Sequence, residues 1–81
     1  MQSITAVYLR LDSIDKVKGF VNTIAQMDGD FDLVSSRYVV DAKSIMGIFS
    51  LDLSKTLRLD IYNAEAVDKL MPLLKDYIVE Q

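Results

Sequence analysis

Two stretches of the chain carry apolar residues at helical spacing along a single face, and this pattern restricts the fold more than any other. The first stretch is Val17, Phe20, Val21, Ile24 and Met27, and the second is Val67, Leu70, Met71, Leu74, Tyr77 and Ile78. Each predicts an amphipathic helix whose apolar face must be buried against another layer. Because 81 residues form a single domain, spanning residues 1–81, both helices must share one core.

Both helical stretches begin at side chains that favour the start of a helix. Asp12 and Ser13 precede the first stretch, and Asp15 lies in its first turn, where a negative charge suits the helix dipole. Asn63 precedes the second stretch, with Glu65 in the first turn. We therefore predict helix starts at these two points.

Pro72 lies inside the second helical stretch. A proline in a helix interior removes one backbone hydrogen bond and clashes with the preceding turn. The apolar face nevertheless continues through Pro72 to Ile78 without losing its phase. The helix is therefore either kinked at the proline or starts again near Met71, and we predict the continuous, kinked helix.

Four other segments have the composition and alternation typical of β-strands. They are residues 4–11, 31–36, 37–41 and 56–62. The last alternates most clearly, with Leu57, Leu59 and Ile61 separated by polar residues. The second and third strands meet at Ser35–Arg37 without an Asn-Gly or Asp-Gly pair, so turn chemistry gives this hairpin little support.

A short helix is predicted between the third and fourth strands. Ser44 precedes an apolar run, and its hydroxyl can accept a hydrogen bond from a free backbone N–H two or three residues further on. We predict a helix over Ile45–Leu51 with Ser44 as its N-cap. Most serines in such a position act as caps and have no other role, and this interpretation stays open.

These elements follow the order strand, helix, strand, strand, short helix, strand, helix. Two long helices with one apolar face each must cover one face of a four-stranded sheet. The sequence therefore predicts an α+β open-faced sandwich with the order βαββαβα, an antiparallel sheet and its helices on one face. A ferredoxin-like regulatory domain has nearly the same element order and is the alternative fold.

Composition excludes several functions. The chain has no Cys and no His, no glycine-rich phosphate loop and no acidic pair at a recognisable spacing, so we expect neither catalysis nor a cofactor. The net charge of −3 gives no electrostatic reason to expect nucleic acid. With no signal segment and no apolar run of membrane-spanning length, we expect a cytoplasmic protein that does not bind membranes.

Three alternating aspartates, Asp28, Asp30 and Asp32, resemble the start of a calcium loop. Gly29 lies too early for such a loop, however, and the distant bidentate glutamate is missing. We therefore predict a solvated edge at this point, and no metal site.

The segment around Ser44 resembles the regulatory-serine segment of HPr, the small phosphocarrier of the bacterial sugar phosphotransferase system. The resemblance is carried by Lys43, Ser44, Ile45, Met46 and Gly47, followed by Ser50 and Leu51. It extends to 20–34, similar to the first helix and second strand of the family, and to 56–62, similar to its last strand. The resemblance implies the same open-faced sandwich, and the short helix and terminal helix favour it over the ferredoxin-like alternative.

The phosphoacceptor histidine of the HPr family is absent. Alignment back from Phe20 places that position near Ser13 and the neighbouring arginine of the family near Asp15. A phosphoserine ester holds far less transferable potential than a phosphohistidine, and Asp15 would repel a phosphoryl group. The resemblance therefore implies that the phosphorelay is lost. Both residues are also favoured on local grounds as ordinary helix-starting residues.

The regulatory half of the family pattern is retained. Ser44 matches the serine that an ATP-dependent HPr kinase modifies, and the start of the short helix would favour a phosphate. Ile45, Met46 and Phe49, beside Lys43, match the patch through which HPr proteins bind their partners. The alternative is that these apolar side chains pack into the core, because a short helix must bury one side.

Three functional hypotheses follow. The first is a non-catalytic regulatory domain, controlled through Ser44, that resembles the histidine-lacking catabolite-repression HPr proteins; its partners would be an HPr serine kinase and a transcriptional regulator. The second is a protein-binding domain, HPr-like or ferredoxin-like, that acts without phosphorylation and includes the case of a homodimer. The third is a degenerate carrier that still binds a phosphotransferase-system protein.

Overall fold

Seven elements follow one another in the order that the sequence predicts. They are β1 (Thr5–Leu9), α1 (Ile14–Ala25), β2 (Phe31–Ser35), β3 (Tyr38–Asp41), α2 (Ile45–Phe49), β4 (Leu57–Ile61) and α3 (Ala64–Leu73). The structure is a computed structural model that describes residues 4–79. The four strands form one sheet in the order β1-β4-β2-β3, and all neighbours are antiparallel. This confirms the predicted α+β open-faced sandwich.

The core lies between one face of the sheet and the three helices. The strand residues on this face are buried and comprise Val7, Leu9, Phe31, Leu33, Leu57, Leu59 and Ile61. The helices contribute Val17, Phe20, Ile24, Ile48, Ala66 and Leu70. Alternation along each strand places the intervening residues on the opposite, open face. Helix α1 thus buries the apolar face from which it was predicted, and α2 adds Ile48. Helix α3 buries Leu70 and half-buries Val67 of its predicted face, but it leaves Met71 38% exposed.

The β2–β3 hairpin forms although its turn has no strong sequence signal. Ser35 pairs with Tyr38, which leaves Ser36 and Arg37 as a two-residue connection. Ser36 has a φ of 55°, in the left-handed region that favours glycine or asparagine. Pairing along β2 holds Ser36 in a conformation that its own side chain disfavours.

Ser36→Gly is expected to raise the free energy of unfolding by about 0.5–1 kcal/mol. Glycine removes the strain of the left-handed conformation, but part of this gain is offset because glycine loses more conformational entropy on folding than serine does. Urea denaturation measures the change. The neighbouring Arg37→Gly is the matched control, because Arg37 has no positive φ. It should lower stability or leave it unchanged, and an equal gain in both variants would contradict the strain at Ser36.

Helix α3 contains Pro72, as predicted, but the predicted continuation of the helix to Ile78 is wrong. Helix α3 ends at Leu73, and the last helical hydrogen bond runs from the Leu74 N–H to the Leu70 carbonyl at 2.9 Å. The chain then turns, and Ile78 forms an antiparallel bridge with Leu9 at the edge of β1. Pro72 weakens the last helical turn, and the free backbone groups of β1 offer the following residues better partners.

Candidate functional site

Two of the predicted sites lie together on the surface. Ser13, at the start of α1, and Phe49, at the end of α2, line one groove with a volume of about 500 Å³. Arg10, Ile14 and Leu53 also line this groove. The fold therefore brings Ser13, which the resemblance aligns with the phosphoacceptor position, onto the same groove as Phe49 of the predicted partner-binding patch.

Ser13 acts as the N-cap of α1, as its position predicts. Its hydroxyl accepts a hydrogen bond from the Lys16 N–H at 3.1 Å. Asp15 is exposed in the first turn of the helix. The Lys16 ammonium lies 3.1 Å from the Asp12 carboxylate, and this hydrogen bond and charge hold the pKa of Asp12 below its ordinary value. The surroundings of Ser13 thus carry two carboxylates and one lysine already paired with one of them.

Arg10 is the remaining cation at the groove. Its Nε atom is buried and has no hydrogen-bond partner among the described residues. Its backbone N–H donates to the Tyr77 carbonyl at 2.9 Å, so the backbone of Arg10 is fixed by the segment that follows α3. Ser13, which the resemblance aligns with the phosphoacceptor position, therefore shares its groove with an arginine that comes from the end of β1 and not from α1.

Ser44 is the N-cap of α2. Its hydroxyl oxygen accepts a hydrogen bond from the Gly47 N–H at 3.1 Å. Gly47 has a packing role here, because a Cβ at that position would lie only 3.2 Å from both Ser44 Oγ and Val40 Cβ. Ser44 is half-buried, and in the structure its side chain caps the first turn of α2.

The apolar residues around Ser44 divide between the core and the surface. Ile48 is fully buried, and Ile45 is half-buried against the core. Met46 is 79% exposed and Phe49 is 42% exposed. Ile14, at the first turn of α1, is 61% exposed and lies on the same groove as Phe49. We call Ile14, Met46 and Phe49 the apolar patch.

Lys43 contacts the protein interior. Its ammonium donates to the Met27 carbonyl at 2.8 Å and lies 5.6 Å from the centre of the Phe31 ring. Both contacts tie the start of α2 to the turn after α1 and to β2. A role of Lys43 in partner binding stays a prediction, and it would require this ammonium to exchange its internal hydrogen bond for an external one.

Sequence reasoning did not include Ile14 and Leu53 in the site. Ile14 follows the Ser13 cap directly, at the first position of α1. A large apolar residue at this position lies at the end of the helix, beyond the residues that pack on the sheet, and its position was the available sequence signal. Leu53 lies in the irregular connection before β4, and only the fold brings it to the groove.

A row of three carboxylates crosses the open face of the sheet. Asp60 pairs with Asp32, and Asp32 pairs with Asp41. The Arg58 guanidinium lies 2.9 Å from Asp60, and the Tyr62 hydroxyl donates to Asp32 at 2.8 Å. Among residues 4–79, no group of three or more His, Cys, Asp or Glu side chains is arranged to hold a metal ion.

The hydrogen bond to Asp32 and the burial of the phenol raise the pKa of Tyr62. The contribution of this bond to stability is therefore present below the ordinary tyrosine pKa of 10.0, and it is lost as the pH rises through the higher native value. Asp32→Asn should lower the Tyr62 pKa towards 10.0, and NMR titration of the tyrosine ring carbons measures it. An unchanged Tyr62 pKa in Asp32→Asn would contradict this cause.

Comparison of the chain with known proteins finds no matching family model, no matching curated protein and no matching solved structure. The resemblance to HPr thus depends on the segment around Ser44, on residues 20–34 and 56–62, and on the agreement in fold. Within residues 4–79, no helix combines the length and the apolar character needed to cross a membrane.

Proposed function

We propose that this chain is a non-catalytic regulatory domain of the HPr type that binds a protein partner through the apolar patch and is controlled by phosphorylation of Ser44. The observation that carries the proposal is the exposure of Ile14 and Phe49 along one groove, together with that of Met46 on the same short helix as Phe49. Large exposed apolar side chains that adjoin one another on a small domain mark contact surfaces for other proteins.

The position of Ser44 supports its role as the control point. It starts the helix that carries Met46 and Phe49, so a change at its hydroxyl alters the same element that presents two patch residues. A phosphate adds about two negative charges and replaces the cap hydrogen bond from Gly47. A partner that contacts Met46 would therefore meet a different charge and a different helix start.

A relay function has less support than regulation. The chain contains no histidine, so it cannot carry phosphohistidine. Ser13 accepts the Lys16 N–H as an ordinary cap, and Asp12 and Asp15 place negative charge beside it. The proposal places the domain in the cytoplasm, where an ATP-dependent serine kinase and a transcriptional regulator would have access to it.

Incubation with ATP and an HPr serine kinase tests the proposal directly. Intact-mass measurement and peptide mapping should show one phosphate on Ser44. Ser13→Ala is the matched control, because it also loses an N-cap hydroxyl and should still be phosphorylated at Ser44. An unmodified protein, in a reaction that modifies HPr in parallel, would refute regulation by that kinase and leave a domain that acts by binding alone.

The contribution of the apolar patch is tested by comparing two methionines. Met46→Ser removes the most exposed side chain of the patch, whereas Met71→Ser changes a 38% exposed methionine on α3. We expect Met46→Ser to lower kcat/KM for phosphorylation by about tenfold, the cost of losing one well-packed contact residue. Met71→Ser should leave kcat/KM unchanged, and equal losses in both variants would argue against the patch.

Ser44→Ala is expected to lower the free energy of unfolding by about 1 kcal/mol, because the Gly47 N–H loses its acceptor. Ser44→Asp should keep stability near that of the native chain, because aspartate is an equally good cap. Urea denaturation measures both variants. If Ser44 is a regulatory site, Ser44→Asp should also change binding of the HPr serine kinase, measured by calorimetry, more than Ser44→Ala does.

A further inference from the structure

The sheet has one covered edge and one open edge. At the β1 edge, the Arg10 N–H donates to the Tyr77 carbonyl and the Val79 N–H donates to the Tyr8 carbonyl, each at 2.9 Å. At the other edge, β3 pairs with β2 on one side only. An open strand edge presents backbone donors and acceptors that another strand can bind.

The pairing pattern shows which groups of β3 face outwards. The Ala42 N–H donates to the Phe31 carbonyl at 2.8 Å, and alternate residues of an antiparallel pair direct their hydrogen bonds to the same neighbour. Residues 38, 40 and 42 therefore bond towards β2, whereas Val39 and Asp41 direct their backbone N–H groups away from the sheet. The Asp41 carbonyl already accepts the Ser44 N–H, which leaves Val39 as the centre of the open edge.

The side chains of this edge are apolar and exposed. Tyr38 is 66% exposed and Val39 is 60% exposed, although both belong to a strand. Soluble proteins commonly protect an edge strand with lysines, a proline or a bulge. The sequence of β3, Tyr38–Asp41, has none of these devices and ends in a single aspartate.

The charges of the edge are self-complementary. Arg37 and Asp41 lie two residues before and two residues after Val39. In an antiparallel pair centred on Val39, Arg37 of each copy lies opposite Asp41 of the other, and the two-fold axis produces this contact twice. Shifting the antiparallel register by two residues in either direction removes both oppositely charged pairs.

The row of carboxylates on the open face explains why a cation fits beside Asp41. Asp60 has Arg58 and Asp32 has Tyr62, whereas among residues 4–79 the Asp41 carboxylate accepts only the backbone N–H of Lys43, at 2.9 Å. Arg37 is exposed and forms no ion pair with any of residues 4–79. The Arg37 side chain of a second copy would extend the row with the positive charge that Asp41 lacks.

We propose that two copies of this chain associate through β3, in an antiparallel two-fold pair centred on Val39 that joins two four-stranded sheets into one. The contact is short, so the dimer should be reversible, with about half of the chains paired at concentrations of tens to hundreds of micromolar. This association uses the edge opposite to β1, and it can be tested without phosphorylation of Ser44.

Sedimentation equilibrium over a range of concentrations tests the dimer. The native chain should show a mass that rises from one copy towards two. Val39→Pro removes an outward N–H that β2 does not use, so it should remain folded by circular dichroism and sediment as a monomer. A native chain that is monomeric throughout this range, or a Val39→Pro variant that still dimerises, would overturn the proposal.

Charge exchange provides a test of register. Arg37→Glu and Asp41→Arg should each weaken self-association at least tenfold, because each places like charges opposite one another. When the two variants are mixed, each charge regains an opposite partner, and a heterodimer should form with an affinity near that of the native chain. Two folded variants that do not associate on mixing would refute the Val39-centred register.

Association through the apolar patch is the competing outcome. Met46→Ser should leave the sedimentation behaviour unchanged if β3 is the contact. Loss of the dimer in Met46→Ser, with Val39→Pro unaffected, would overturn the β3 proposal and assign self-association to the patch. The kinase assay reports on Ser44 in either case, so failure of the dimer and failure of the proposed function are distinguishable.

Discussion

Phe20→Ala is expected to lower the free energy of unfolding by about 3–5 kcal/mol. Phe20 has no exposed surface and lies in the part of α1 that faces the sheet. Its ring also packs edge-to-face with Tyr77, with 6.2 Å between the ring centres. Truncation removes the transfer free energy of the ring, leaves a cavity and removes this aromatic contact.

Phe49→Ala is the matched control, because the same side chain is removed from the apolar patch instead of the core. Phe49 is 42% exposed, so its loss should cost less than about 1.5 kcal/mol of stability. Thermal and urea unfolding measure both variants. Phe49→Ala should instead lower kcat/KM for phosphorylation by the HPr serine kinase. A large loss of stability with unchanged phosphorylation would indicate that Phe49 contributes to the core and not to the patch.

Local features of the fold could be predicted because their causes are local. Ser13, Ser44 and Asn63 each cap a helix, and each accepts a backbone N–H within the next three residues. The strand faces follow directly from a two-residue alternation, which needs no knowledge of the neighbouring strand. The order of strands in the sheet does not follow from such local patterns, because pairing between distant segments has no local signature.

The end of α3 shows how a local pattern can mislead. Tyr77 and Ile78 continue the apolar phase of the helix, and both are half-buried against the core. They reach it from a turn and a β-bridge, not from a helix. A stripe of apolar residues records which side chains are buried, and it does not record which backbone conformation delivers them.

The candidate site was predictable only in part. The resemblance predicts a surface patch of Ile45, Met46 and Phe49; the structure leaves Met46 and Phe49 exposed but half-buries Ile45 against the core. The packing of α1 beside α2 adds Ile14 to the patch, and no spacing in the sequence predicts that these two helices are neighbours. The internal hydrogen bond of Lys43 likewise depends on Met27, sixteen residues earlier in the chain.

Removal of residues 75–81 is expected to lower the free energy of unfolding by about 2–4 kcal/mol. The deletion removes two backbone hydrogen bonds to β1, each with a net contribution of about 1 kcal/mol, and the contact of Tyr77 with Phe20. It also opens the edge of β1, so self-association that does not depend on Val39 should appear. Urea denaturation and sedimentation of the Val39→Pro background measure the two effects separately.

Gly19 provides an independent check on the role of this segment. A glycine inside a helix is less stable than alanine by about 1 kcal/mol, yet a Cβ at Gly19 would lie 2.5 Å from the Tyr77 hydroxyl oxygen. In the full chain, Gly19→Ala must displace Tyr77 and should be destabilising or neutral. In the shortened chain the same substitution should stabilise by about 1 kcal/mol. An identical effect in both chains would contradict the packing of Tyr77 on α1, because only that contact makes the effect of the substitution depend on residues 75–81.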